Sequence, residues 1–526
     1  MKATRRKFTA AWPLMVFLLL PAPTRAETAV QAWIQRYPGS GNGGGEAQAV
    51  AVDSSNSVIV TGCSFGGESG NDYATIKYSS RGVALWTNCY NGPGNGGDYA
   101  FAVAVDGSNN VIVTGYSDGG GYNYDYATIK YSSEGAPLWT NRYNGPGNSD
   151  DYGQALAVDG NGDVIVTGYA TGSGDGLDYA TIKYSGVGEP LWTNYYNGPG
   201  NGADYSFAVA VDGSNNVIVT GYSTGSGGSA DYATIKYSST GVPLWTNRYD
   251  RGPESDSWAT AVVVDGSNNV IVAGTSGNGA DHDYVTLQYS SGGAPLWTNR
   301  YHEPENYLNC ATAVAVDHRN NVIVTGYSSN GTNSHYATIM YSSLGVGLWT
   351  NYYNGLGSGD GEASALAVDG HNNVIVTGRA EASPSSYSYD YASVKYSSTG
   401  VPLWTNLYNG PGNGDDQARA LAVDHSGNVT VTGYSAGSGD TYDFTIIKYI
   451  CVPSPVMTGL QFSNGTFQLR VDGVLQAGTL VVEASTNLAG WAPVFTNTTP
   501  THVLFYADPD AGSLPTRFYR AFQFPY

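Results

Sequence analysis

Four acids and four aromatics stand at matched places along this chain. Asp98, Asp151, Asp204 and Asp416 each lie eight residues before another aspartate, and the next position of the same segments holds Tyr99, Tyr152, Tyr205 and, in a fifth segment, Trp258. Asp150, Asp256, Asp360 and Asp415 stand one residue earlier in theirs. Carboxylates beside aromatic rings are the side chains that bind a sugar, by stacking and by accepting from hydroxyls, or a cation. The same residues could equally cap strand starts and pack loops, so both roles stand open. A glycoside hydrolase would need two carboxylates at a defined separation, and the equivalent copies do not single out a pair.

Other candidates are weaker. "DGNGD", Asp159–Asp163, places oxygens at alternate positions as calcium loops do, but its sister copies read "DGSNN", the same turn without the second acid. His282, His302, His318, His335, His371 and His425 fall in different places of different segments, without zinc spacing. Cys63 and Cys89 fall on strands flanking a third, about 9–10 Å apart and beyond disulfide reach. There is no nucleophile elbow and no HExxH. No catalytic residue is assigned and no cofactor is expected, calcium being the one metal these loops could take.

A repeat positions all of these residues. Tryptophan recurs at Trp33, Trp86, Trp139, Trp192, Trp245, Trp297, Trp349 and Trp404. Twenty residues after each comes Asp53, Asp106, Asp159, Asp212, Asp265, Asp317, Asp369 or Asp424, and then Tyr73, Tyr126, Tyr179, Tyr232, Tyr284, Tyr336, Tyr391 or Phe444. The unit is 52–55 residues long and occurs eight times. Each copy holds four strand-like runs, such as "FAVAVD", "NVIVTGYS", "DYATIKYS" and "PLWTNRY", joined by Asp/Ser/Asn/Gly turns. Four antiparallel strands at this period predict an all-β chain built as an eight-bladed β-propeller. Ala and Val in the first strand and Trp in the fourth suit a wedge, narrow inside and wide outside. Continuous apolar runs such as "AVAV" and "VIV" suit sheets covered on both faces.

The propeller is expected over residues 29–450. "AVQAWIQRY" matches only a fourth strand, and the last unit stops after its third, so the N-terminal strand is expected to complete the eighth blade. A linker over 451–455 and a small sandwich-like β domain over 456–526 follow, the latter from "FQLRVDG", "TLVVEAS" and "RFYRAFQF". Length varies only between the second and third strands, and the connection to the next unit drifts in sequence. Both loops belong to one face, the expected binding face.

The unit "VDGSNNVIVTGYS…DYATIKYSSEGAPLWT" resembles the SBBP-type β-propeller repeats of secreted bacterial proteins over about residues 30–450. The tail, with "VEASTNLAGWAPVFTNT" and "RFYRAF", resembles a β module at the C-termini of such proteins. The resemblance implies an extracellular propeller and no particular activity. "SSTGVPLW", Ser238–Trp245, is similar to the Thr-Gly-x-x-x-Trp turn of quinoprotein-like propellers, where the tryptophan docks blades; the adjacent cysteines of those enzymes are absent.

Composition agrees with an exported β protein. The chain has 71 glycines, 42 tyrosines and only 13% charged residues. "KATRRKF", an apolar run and "PTRAET" read as a signal peptide over 1–26, the adjacent arginines also resembling a twin-arginine signal. Formal charge is −20, and roughly −25 without that segment, which makes nucleic acid an unsuitable partner. No run suits a transmembrane helix. The expected function is a secreted, monomeric binding or scaffold protein that engages an extracellular polysaccharide or a cell-surface protein. The alternatives are a quinoprotein-like or glycan-active enzyme, and a spacer whose C-terminal module sorts or anchors it.

Overall fold

The computed structural model describes residues 27–524, apart from 40–42, 121–122, 173–175, 253–254, 279–280, 304–307, 330, 332, 356–358, 382–387, 438, 440, 454–455, 464–465, 473–478, 486–491, 499–502 and 509–517. The segment 1–26, expected to be an export signal, lies outside them. Every regular element described is a strand. The chain divides into two compact units, Ala29–Cys451 and Val452–Tyr526, the described residues 27–28 being grouped with the second.

The first unit is a series of four-stranded antiparallel sheets, each a meander. One of them runs Asp98–Val105, Val111–Asp118, Tyr124–Tyr131 and Pro137–Tyr143. The repeats over 256–301 and 308–353 are joined by a single parallel bridge, His282 to Leu308. The strand Glu27–Tyr37 is the fourth member of a sheet with Asp416–Val423, Val429–Ala436 and Tyr442–Pro453. The arrangement is propeller-like: repeated sheets, each packed on the next.

The first residues of the second strands are fully buried, as Val111, Ile112 and Val113 show at 0% exposure. The first strands are only half-buried, contrary to the reading of "AVAV" as covered on both faces. They sit at a sheet edge, where one side has no neighbouring strand. The run over 451–453, assigned above to a linker, belongs to the strand Tyr442–Pro453.

The recurrent residues join neighbouring sheets. Each third-strand tyrosine buries its ring and donates its hydroxyl to a carbonyl of the next repeat: Tyr126 to Ala180 at 3.1 Å, Tyr179 to Ala233 at 3.1 Å, Tyr391 to Thr445 at 3.3 Å. Seven of the eight recurrent tryptophans likewise donate to a carbonyl of the next repeat from the fourth strand, Trp404 being the exception. Trp192 Nε1 donates to Ser239 O at 3.2 Å, and the ring lies against Gly241. That glycine has φ +85°, and a Cβ there would come within 2.7 Å of the indole, so the hairpin tolerates no other residue. Phe444 replaces the tyrosine in the last repeat and packs with Ala47, Val58 and Ala74 of the first. Since Phe444 does without the hydroxyl, Tyr179→Phe is expected to fold normally and to lose about 1 kcal/mol, read as the shift in urea midpoint.

The second unit holds two three-stranded sheets. Val456–Ser463, Thr466–Asp472 and Val503–Asp508 form one; Thr479–Ser485, Ala492–Asn497 and Phe518–Phe524 form the other. Leu469 and Val471 from the first meet Leu480 and Val482 from the second in a common core.

Candidate ligand-binding face

Asp98, Asp151, Asp204 and Asp416 do not face a ligand: each is 0% exposed. Their carboxylates knit a loop to a strand end. Asp204 accepts from the Gly198 amide at 2.8 Å and the Thr224 amide at 3.0 Å. Asp98 takes Gly92 and Asp118, Asp151 takes Gly145 and Thr171, and Asp416 takes Gly410 and Ala436. All four acids follow an "NGPGN" turn whose glycine supplies the first of those amides, and the other repeats lack both turn and acid. Burial raises the pKa of each, with Asp151 pushed up to about 6. The neighbouring acids are caps too. Asp150, Asp256, Asp360 and Asp415 accept from the amides of Tyr124, Ala230, Ser334 and Tyr389, at the third strand of the preceding repeat. Of the two roles open from sequence, the acids take the structural one.

The "DGNGD" turn already holds a cation. Lys183 Nζ sits 2.7 Å from Asp159 and 3.2 Å from Asp163, with the lysine side chain 2% exposed. Asp281, Asp283 and His302 place three ligand atoms within 4.8 Å of one another. There Arg300 pairs with Asp283, and Arg251 lies 3.8 Å from it, so its charge is already met.

The aromatics behave differently. Tyr99, Tyr152 and Tyr205 are half-buried and belong to one continuous arc across three repeats. Ring centroids run Tyr99–Tyr116 at 5.1 Å, Tyr116–Tyr152 at 4.8 Å, Tyr152–Tyr169 at 5.0 Å, Tyr169–Tyr205 at 4.4 Å and Tyr205–Tyr222 at 4.8 Å. The first-strand ring of one repeat thus alternates with the second-strand ring beside it, and Phe101, Tyr124 and Phe207 widen the arc. Sequence inspection found the first-strand members and missed the second-strand ones, although "VTGY" repeats visibly. Trp258 stands apart, stacked on His282 at 5.3 Å. In the seventh repeat the equivalent positions are ionic, Arg379 bonding Glu362 at 2.8 Å and lying over Tyr389; in the eighth Arg419 lies over Tyr434.

A second recurrent acid precedes the third-strand aromatic. In four repeats an arginine from the fourth strand neutralises it: Arg36–Asp443, Arg142–Asp125, Arg248–Asp231 and Arg300–Asp283. The arginine is replaced by Cys89, Tyr195, Tyr352 and Leu407 in the others. Burial, with Asp204 nearby, pushes Asp178 up to about 6, and burial beside Asp416 does the same to Asp390.

No family model matches the chain, and no curated protein does. Solved structures that it resembles include a eukaryotic initiation factor, at 6% identity and TM-score 0.38, covering 70% of this chain and 89% of that one. Another is the polysaccharide lyase Uly1, at 12% identity and TM-score 0.39, covering 76% and 89%. At these scores neither likeness bears on the site. The chain is described by its own strand pairing as all-β, with repeated four-stranded, propeller-like sheets.

Proposed function

We propose that this is a secreted, non-catalytic glycan-binding protein whose site is the tyrosine arc of residues 99, 116, 152, 169, 205 and 222, carried on a closed ring of eight blades. The arc carries the reading: six half-buried tyrosine rings stand in series, each packed on the next at 4.4–5.1 Å between centroids. Such rings bind saccharides with little entropy loss, because each side chain has only two rotatable bonds. Ring closure is supported by three contacts between the ends of the series. The His425 amide donates to Asn56 Oδ1, Trp33 Nε1 donates to Ser80 O, and Phe444 enters the first repeat's core. Binding is favoured over turnover because the acids near the arc are consumed as backbone caps.

Titration of residues 27–526 with neutral oligosaccharides, followed by intrinsic fluorescence, tests this. Saturable binding is expected, and Tyr152→Ala or Tyr205→Ala should each weaken it by about tenfold or more while the thermal midpoint stays near that of the parent. Unchanged binding in both variants would move the site off the arc. A protein ligand remains the second reading if no saccharide binds.

A further inference from the structure

Two groups that together close the second and fourth repeats are both absent from the third. In the second repeat two groups shut the gap between the second-to-third-strand loop and the connection to the next repeat. Asp150 caps the Tyr124 amide at 3.0 Å, and Arg142 clamps Asp125 at 2.9 Å. The fourth repeat has the same pair, Asp256 on Ala230 and Arg248 on Asp231. In the third repeat both are missing, since Ala203 stands in the place of the capping acid and Tyr195 in that of the arginine. The result is a cavity of about 410 Å³ lined by Gly176, Leu177, Asp178, Asn197, Asn201, Gly202 and Ala203. The first repeat also lacks both groups, with Gly97 and Cys89, but there Ser69 hydrogen-bonds the equivalent Asp72. Among the described residues Asp178 has neither the serine nor the arginine; its buried Oδ1 accepts no hydrogen bond, as in Asp72, Asp125 and Asp231, but no arginine meets its other oxygen.

We infer that this opening binds the ammonium group of an amino sugar, a positive charge from the ligand taking the place that an arginine holds in four sister repeats. The observation is internal to the molecule: in both repeats that carry the two closing groups together, the same acid is paired with an arginine. The remaining lining suits a sugar. Asn197 donates to Asn201 at 2.8 Å, so the two carboxamides form a fixed polar edge with further donor and acceptor capacity for hydroxyls. Tyr205, a member of the arc, follows Ala203 by two residues. The inference rests on the glycan reading above and names the residue type that the glycan must contain.

Three probes on residues 27–526 separate the outcomes: a glucosamine hexamer, an N-acetylglucosamine hexamer and argininamide. Glucosamine hexamer should bind about tenfold more tightly than its acetylated counterpart, and Asp178→Asn should erase that difference without weakening the acetylated hexamer. The double change Ala203→Asp with Tyr195→Arg, which restores both closing groups, should erase it as well, and its thermal midpoint reports folding. Equal binding of the two hexamers, indifferent to Asp178→Asn, overturns the inference and leaves the glycan reading standing. Failure of both hexamers overturns the two together. Argininamide binding that depends on Asp178, without preference between hexamers, overturns the amino sugar in favour of a protein's guanidinium.

Discussion

Asp212→Ala is expected to lower the stability of the repeat unit by about 4 kcal/mol, within the range for breaking a buried ion pair from one side. Its Oδ1 accepts from the Ser214 amide at 2.8 Å and the Asn216 amide at 2.9 Å, which holds the "DGSNN" hairpin closed. Its Oδ2 takes Asn216 Nδ2 at 2.9 Å and Lys236 Nζ at 2.8 Å, with the two ionic side chains 3% and 2% exposed. Alanine leaves the lysine buried without a counter-charge and two turn amides without an acceptor. Burial acts to raise the carboxyl pKa, but Lys236, Asn216 and the amides outweigh it, so the folded-state value lies below the ordinary one. A depressed folded pKa means stability that is present above the unfolded value, near pH 4, and lost as pH falls through the folded value. The gap between parent and variant should therefore hold at pH 7 and shrink below about pH 4. The sixth repeat supplies the control. Met340 stands where the lysine would, and Asp317 keeps only Asn321 and the turn amides. Asp317→Ala should cost about 2 kcal/mol less. Urea midpoints measure both, and equal losses would mean that the lysine pair contributes nothing.

The anchors were legible because every copy uses them alike. Spacing alone located Asp212, Trp192 and Tyr179, and the contacts follow the repeat: hairpin clamp, hairpin dock, carbonyl donor. The rim acids misled for a physical reason. Whether a carboxylate faces water or folds back depends on a partner several residues away. Here that partner is the Gly198 amide presented by the "NGPGN" turn before Asp204. The sequence did carry the sign, since turn and acid occur together in four repeats and are absent together from the rest. The arc was half-visible: Tyr152 and Tyr205 were picked out, but the rings between them, Tyr169 and Tyr116, lie on the other strand of a hairpin and meet them only across a sheet-to-sheet contact. The opening at Asp178 is a matter of two substitutions, Tyr195 and Ala203, eight positions apart. Neither stands out without knowing that Arg142 and Asp150 close the same gap one repeat earlier.

Removing residues 27–37 is expected to do more damage than any single substitution, because that strand touches three repeats. Trp33 lies against Gly82 and donates to Ser80 O at 3.1 Å in the first repeat. Arg36 bonds Asp443 and Ser435 in the eighth and the Tyr408 hydroxyl, at 2.9 Å, in the seventh. Tyr37 meets Phe444 edge-on at 5.8 Å. The seventh-to-eighth junction depends on these bonds more than others do. Elsewhere a hairpin of the following repeat accepts from tryptophan and asparagine, as Ser239 and Gly241 accept from Trp192 and Asn194. The eighth repeat has no such hairpin, because its third strand continues through Pro453, and Trp404 Nε1 and Asn406 Nδ2 are buried without acceptors. Partial burial of Trp33, Ile34 and Tyr37 is worth about 1–2 kcal/mol each, and stranding Asp443 adds about 1–3 kcal/mol. A loss of about 4–9 kcal/mol is comparable with the whole stability of an ordinary domain, and the bared edge of Tyr442–Pro453 invites association with other chains. The truncated chain should therefore lose its cooperative thermal transition and aggregate. A synthetic peptide of residues 27–37 should restore the transition, whereas the same peptide carrying Trp33→Ala and Arg36→Ala should not. A truncated chain that melts like the parent would show that the ends need no joining, and the closed ring would fall with it.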